Sequence, residues 1–172
     1  MLAALLASFV LAAPDADTRS DLFVHVSAQG GASLFDVDAS LAGGGARGPV
    51  AGVRVGLRAS RPPFVSGGGR LGLLPSLELH HDFGSGRTEW LGAAALTVTV
   101  WKLFLLTRLG YGLSVQGPEP LPRHLLSMSA GLAVKLGAVW LELDVRSVMR
   151  FRPEGRTLQV LTSVGWEFDL PE

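Results

Sequence analysis

The stretch VWLELDVRSVMR, Val139 to Arg150, decides the fold. In an extended chain successive side chains point to opposite faces, so each register of alternate residues lists one face. One register reads Val139, Leu141, Leu143, Val145, Ser147 and Met149. The other reads Trp140, Glu142, Asp144, Arg146, Val148 and Arg150. Every charge falls on one side and none on the other.

Working outward, the same period of two recurs from Asp21 onward. Leu158, Val160, Thr162, Val164, Trp166, Phe168 and Leu170 oppose Gln159, Leu161, Ser163, Gly165, Glu167 and Asp169. Leu126, Met128, Ala130, Leu132, Val134 and Leu136 oppose Ser127, Ser129, Gly131, Ala133 and Lys135. Leu103, Leu105, Thr107, Leu109, Tyr111, Leu113 and Val115 oppose Phe104, Leu106, Arg108, Gly110, Gly112 and Ser114. Trp90 to Val100, Leu71 to Phe83, Val53 to Ala59 and Leu22 to Ala28 follow the rule. The apolar faces of these eight segments carry no Asp, Glu, Lys or Arg. The opposite faces carry Asp21, Arg54, Arg58, Glu78, Asp82, Arg108, Lys135, Glu142, Asp144, Arg146, Arg150, Glu167 and Asp169.

The pattern predicts eight strands, mostly of ten to fifteen residues. Strands of soluble domains usually run to about five or six residues, whereas strands that cross a bilayer need roughly nine to eleven. Breaks fall where eight strands require them. Residues 30–48, with Gly43, Gly44 and Gly45, form the longest expected loop, and Arg61-Pro62-Pro63 to Gly69 the second. Gly84-Ser85-Gly86, Trp101-Lys102, Gln116 to Pro120, Gly137-Ala138 and Pro153-Glu154-Gly155 supply the rest. An even strand count brings both termini to one end, which in an outer-membrane arrangement is the periplasmic end.

Composition fits the same class. The 172 residues suit one domain. A mean hydropathy of +0.35 and a charged fraction of 17% are unusual for a soluble protein, where charge runs to about 25%. Yet beyond the N-terminus no run reaches the eighteen or so apolar residues of a membrane-spanning helix. Lys+Arg and Asp+Glu balance at 15 each, so nothing points to nucleic acid. Cysteine is absent, which removes disulfides, thiolate metal sites and thiol catalysis. Leu2 to Ala13 (LAALLASFVLAA) has the length of a signal-peptide core, with cleavage expected after Ala12 or Ala16. Residues 1–16 are therefore an expected signal peptide and 17–172 an expected barrel domain.

Alternation alone does not say which face points inward. In a soluble barrel the apolar face would be the core. Here the charged face is also rich in small residues, among them Gly56, Gly72, Ala93, Ala95, Gly110, Gly112, Gly131, Ala133 and Gly165. Small residues suit the crowded interior of an eight-stranded barrel, and the uniform Leu/Val face suits lipid. Phe83, Trp90 and Phe151 then fall near the outer rim, and Trp101, Trp166 and Phe168 near the inner rim, as interfacial aromatic belts do.

The layout resembles the small outer-membrane β-barrel proteins of the OmpA/OmpX type over about residues 20–170. The end Val164-Gly165-Trp166-Glu167-Phe168-Asp169-Leu170 is similar to the C-terminal signal that barrel-assembly machinery reads in that class, although the chain closes on Leu170-Pro171-Glu172 without a terminal aromatic. The resemblance implies an antiparallel up-and-down transmembrane barrel in the bacterial outer membrane, in contact with its lipid.

The charged face, Arg54, Arg58, Glu78, Arg108, Lys135, Glu142, Asp144, Arg146, Arg150 and Glu167 above all, reads as an ion-pair network, because buried charges persist when paired. No cofactor or metal is expected. His80 and His81 face opposite sides of one strand and so cannot share an ion without a bulge. His124 with Ser127, Ser129 and Glu119 invites comparison with rim-active lipid hydrolases, but the serines fall on the inner face. The expectation is a monomeric, non-enzymatic envelope protein with a closed lumen, docking any protein partner through loop 30–48. A narrow channel, a lipid-modifying enzyme and a soluble secreted barrel for a small apolar ligand are the other readings.

Overall fold

The computed structural model describes residues 22–38, 48–60, 70–100, 103–117, 119–151 and 155–169. Eight strands follow in chain order: β1 (Leu22–Asp38), β2 (Gly48–Ser60), β3 (Arg70–Asp82), β4 (Arg87–Val100), β5 (Leu103–Gln116), β6 (Glu119–Leu136), β7 (Val139–Arg150) and β8 (Gly155–Asp169). Each pairs antiparallel with its sequence neighbours, and β1 pairs with β8, so the sheet closes into an up-and-down barrel.

The register fixes how far the strands lean. From Phe104, the paired residues lead through Ala133, Glu142, Ser163, Gln29, Gly52, His80 and Glu89 to Ser114. One circuit thus returns to β5 ten residues further along, and such a shear requires strands tilted by roughly 35–45° from the barrel axis.

Several strands run longer than the periodicity suggests. Residues 30–38 continue β1 beyond a register shift between Ser33 and Phe35, and Gly48 already belongs to β2. Of the expected loop 30–48, residues 30–38 and Gly48 are therefore strand, and 39–47 lie outside the described residues. Between β5 and β6 the expected break from Gln116 to Pro120 is strand except at the turn residue Gly117 and at Pro118, which lies outside the described residues, because Glu119 to Arg123 extend β6. These are backbone effects: neighbouring strands offer hydrogen-bond partners past the end of the apolar pattern. β4 likewise starts at Arg87 instead of Trp90.

Tight turns carry left-handed residues where expected. Gly86, after the Phe83–Gly86 turn begins, has φ 66°, and Gly137, between Leu136 and Val139, has φ 64°. A side chain at either would meet the steric penalty of that region. The expected turn at Trp101-Lys102 lies outside the described residues, as do segment 61–69, residues 152–154 and the expected signal peptide.

The wall has its apolar side outward. Leu77 is 72% exposed, and Val53, Val55, Trp90, Leu96, Leu105, Leu109, Leu132, Leu141, Leu143 and Val145 are all exposed. Arg54, Arg146, Glu89 and Gln159 are enclosed. The strand β5 alternates exposed and buried from Leu103 to Leu109 without interruption. This is the inverse of a soluble barrel, whose apolar side chains fill the inside, and it is the arrangement that hydrocarbon around the wall favours.

Two apolar clusters interrupt the polar lumen. Phe104, Leu106, Ala133 and Trp140 gather toward the end that carries the chain termini, with the Trp140 and Phe104 rings 4.3 Å apart. Leu91, Leu125 and Val148 form the second.

A cation in the middle of the outward wall should destabilise the barrel far more than the same cation at its rim. Leu143→Arg is expected to cost about 2–4 kcal/mol and Phe168→Arg no more than about 1, read by denaturant titration of the protein folded into lipid vesicles. Equal, small costs at both sites would mean that the wall is wetted.

Candidate functional site: the ion-paired lumen

The lumen is where the chemistry-bearing side chains meet. Arg54 of β2 donates from Nε to Glu78 Oε1 of β3 at 2.8 Å. From Nη1 it reaches across to both oxygens of Glu142 on β7 at 3.0 Å. Arg108 of β5 donates from Nη1 to Glu142 Oε1 at 3.1 Å and to Asp144 Oδ2 at 3.0 Å, and its Nε lies 3.4 Å from Glu78 Oε1. Ser76 Oγ donates to Glu78 at 3.1 Å, and His80 Nε2 contacts the other Glu78 oxygen at 3.1 Å. Four strands are thus tied together through the barrel's middle.

A second group lies nearer the end opposite the termini. Arg146 donates to Glu89 Oε2 at 3.0 Å and to Ser127 Oγ at 2.8 Å. Arg150 reaches the other Glu89 oxygen at 3.4 Å and Thr157 Oγ1 at 2.6 Å. Beyond them Arg87 donates to Gln116 Oε1 at 3.0 Å, and Gln116 Nε2 donates to the Ser85 carbonyl at 3.2 Å. Toward the termini Lys135 pairs with Glu167 and lies over the Phe23 ring.

The structure therefore brings together Arg54, Glu78, Arg108, Glu142 and Asp144 in one network, Arg146 and Arg150 in another, and Lys135 with Glu167 in a third. Arg58 belongs to β2, opposite Phe23 in the register, but its side chain lies outside what the structure describes, as do those of Asp21 and Asp169. Asp82 is buried yet serves the hairpin, accepting from the amides of Gly84 at 2.9 Å and Ser85 at 3.2 Å.

Sequence reasoning missed Glu89 and Arg87. Both continue the inward register of Leu91 and Ala93, so extending that alternation two steps upstream would have found them. The alternation puts His25, Gln29 and Gln159 on the inward face but assigns them no role; the His25 ring stands edge-on to Trp140 at 5.8 Å, and both amides are buried.

Other singled-out residues fall apart. His80 is enclosed on Glu78, whereas His81 bonds Thr88 Oγ1 at 3.0 Å on the outward side. No metal-holding group of His, Asp and Glu occurs among the described residues. His124 points outward and meets Tyr111, with Nδ1 2.7 Å from the phenol oxygen, while Ser127 and Ser129 are buried in the lumen. The hydrolase constellation is not assembled. Of the expected interfacial aromatics, Phe83, Trp90, Phe151, Trp166 and Phe168 are exposed on the wall, and Trp101 lies outside the described residues.

An eight-stranded closed barrel, apolar outside and ion-paired within, is the architecture of the small outer-membrane β-barrels. Solved structures of that kind are similar to it. Neisserial surface protein A, NspA, superimposes with a TM-score of 0.55 at 13% identity, covering 86% of this chain and 97% of its own. Ail, the attachment invasion locus protein of Yersinia pestis, gives a TM-score of 0.36 at 10% identity over 87% and 99% of the two chains. The outer membrane protein AlkL gives 0.37 at 14% identity over 94% and 96%. No protein-family model and no curated protein matches the sequence.

Removing the carboxylate that two guanidiniums share should be costly. Glu142→Leu is expected to destabilise the barrel by about 3–5 kcal/mol, the usual cost of stranding a buried charge. In a double-mutant cycle Arg54→Met should couple to it by roughly 0.5–3 kcal/mol. Zero coupling would mean the two groups do not interact across the lumen.

Proposed function

We propose that the chain is a monomeric, integral outer-membrane barrel with a closed lumen, contributing non-catalytically to the cell envelope and docking a partner through segment 39–47. The observation that supports this reading best is the Arg54–Glu142 contact. It crosses the interior of an eight-stranded barrel, where side chains already fill the available width.

An ion entering would have to break paired charges held in a low-dielectric interior, where their mutual attraction is strong. Anions and cations meet both signs in succession, so the lumen offers neither a selective path. The outward wall, uniform in Leu and Val, is matched to lipid. The alternating end of β8, Val164 to Asp169, supplies what assembly machinery would recognise. The resemblance of fold to NspA supports the class of protein and not a particular partner.

Folded into planar bilayers, the protein should give no discrete ion conductance. In cells it should fractionate with the outer membrane and migrate differently on a gel before and after heating. Steady single-channel currents would replace the closed-barrel reading with a pore, and a freely soluble periplasmic protein would remove it altogether.

A further inference from the structure

Tyr111 and His124 make a hydrogen-bonded pair on the outside of the wall, where a polar pair has no role in the lumen. Their rings stack with centroids 5.8 Å apart and planes 21° from parallel, and Tyr111 Oη lies 2.7 Å from His124 Nδ1. The register gives their height. His124 stands in one row with Leu113 and Trp90, and the amide of Phe151 donates to the His124 carbonyl at 2.9 Å. Exposed Trp90 and Phe151 on either side mark a headgroup level, since such rings settle at membrane–water interfaces.

The neighbouring row carries a cation. Tyr111, Leu126, Met149 and Arg156 are consecutive partners across β5 to β8. Arg156 is exposed, its Nε donating to Ser147 Oγ at 3.3 Å. Glu78, Asp82, Glu89, Glu142, Asp144 and Glu167 are enclosed, whereas Arg156 and His124 are exposed. Arg156 thus places a positive charge on the outward surface at this end, near the level that Trp90 and Phe151 mark.

We infer that Tyr111, His124 and Arg156 form an external site for the phosphate-bearing headgroup of an anionic lipid in the outer leaflet. A phenol that donates to Nδ1 leaves the ring's one N–H on Nε2, so the imidazole has a donor to offer a phosphate oxygen. Arg156 adds a charge-assisted donor whose planar fork suits phosphate oxygens. This goes beyond the proposed envelope role, and it survives whether or not a protein docks on segment 39–47.

The test uses the full chain folded in a zwitterionic detergent, with native mass spectrometry reading bound lipid. The probes are diphosphorylated lipid A, its dephosphorylated form and inorganic phosphate. The phosphorylated lipid should bind more tightly than the dephosphorylated one, and raised salt should narrow the gap. Arg156→Gln should weaken it by about fivefold, the worth of one cationic group near an anionic surface, and His124→Gln and Tyr111→Phe each by less. Heat-modifiable migration verifies that each variant is folded. Should a variant fail to fold, the salt dependence and lipid preference of the unaltered protein decide alone. Indifference to the lipid phosphates, or wild-type affinity in both folded glutamine variants, overturns the site. Equal competition by inorganic phosphate also overturns it, because the site would then be for a free anion.

Discussion

Backbone hydrogen bonding is the constraint on which the rest of this structure depends. Hydrocarbon offers no water to an unpaired amide or carbonyl, so a strand in lipid must be bonded along both edges. Here β1 answers that requirement twice, pairing with β2 from Leu22 to Ser33 and with β8 from Phe23 to Asp38. Closure then determines what each face can hold. The outward face can be apolar without forming a core, and the inward face must accept whatever remains in a space only a few side chains wide.

That narrowness explains the pattern of charge. Arg54 and Glu142 belong to strands three apart, yet they bond directly. Tilted strands with a ten-residue stagger bring inward residues from different rows to one level. Each guanidinium can then find carboxylates on strands that never pair with its own. Glycine and alanine at Gly56, Ala93, Ala95, Gly110 and Ala133 leave room for these long side chains. At Gly165 the room is occupied by a neighbour, because a Cβ there would stand 2.7 Å from His25 Cε1. The apolar layer at Trp140 and Phe104 fills the lumen on the side of the termini, so the polar network is enclosed there by packed rings.

Much of this was legible in sequence because period two survives any error in strand ends. Leu141, Leu143 and Val145 had to share a face whatever their neighbours did. Strand limits were less legible. Gly30 to Asp38 lack a clean apolar register, and their strand state comes from partners on β8 more than a hundred residues away. Glu119 to Arg123 contain Pro120 and Pro122, which argue for a break, yet they extend β6 from Glu119, whose partner is Gln116 across a register shift. Specific pairing was not legible at all. The spacing of Arg146, Glu89 and Arg150 says nothing about who bonds whom, since barrel stagger decides it, and the outward Tyr111–His124 pair depends on the β5–β6 register.

An inside-out arrangement also solves a problem of delivery. A chain with a continuous apolar core pattern long enough to span a bilayer would be held in the first membrane it met, since about eighteen consecutive apolar residues suffice. Placing Glu142, Asp144, Arg146 and Arg150 between Leu141, Leu143, Val145 and Met149 keeps β7 far below that threshold, though the folded wall is greasy. The hydrophobic surface exists only once alternate side chains have been sorted by β pairing. The buried ion pairs, which add little net stability in themselves, are thus what allow the same twelve residues to be polar enough in transit and apolar enough at their destination.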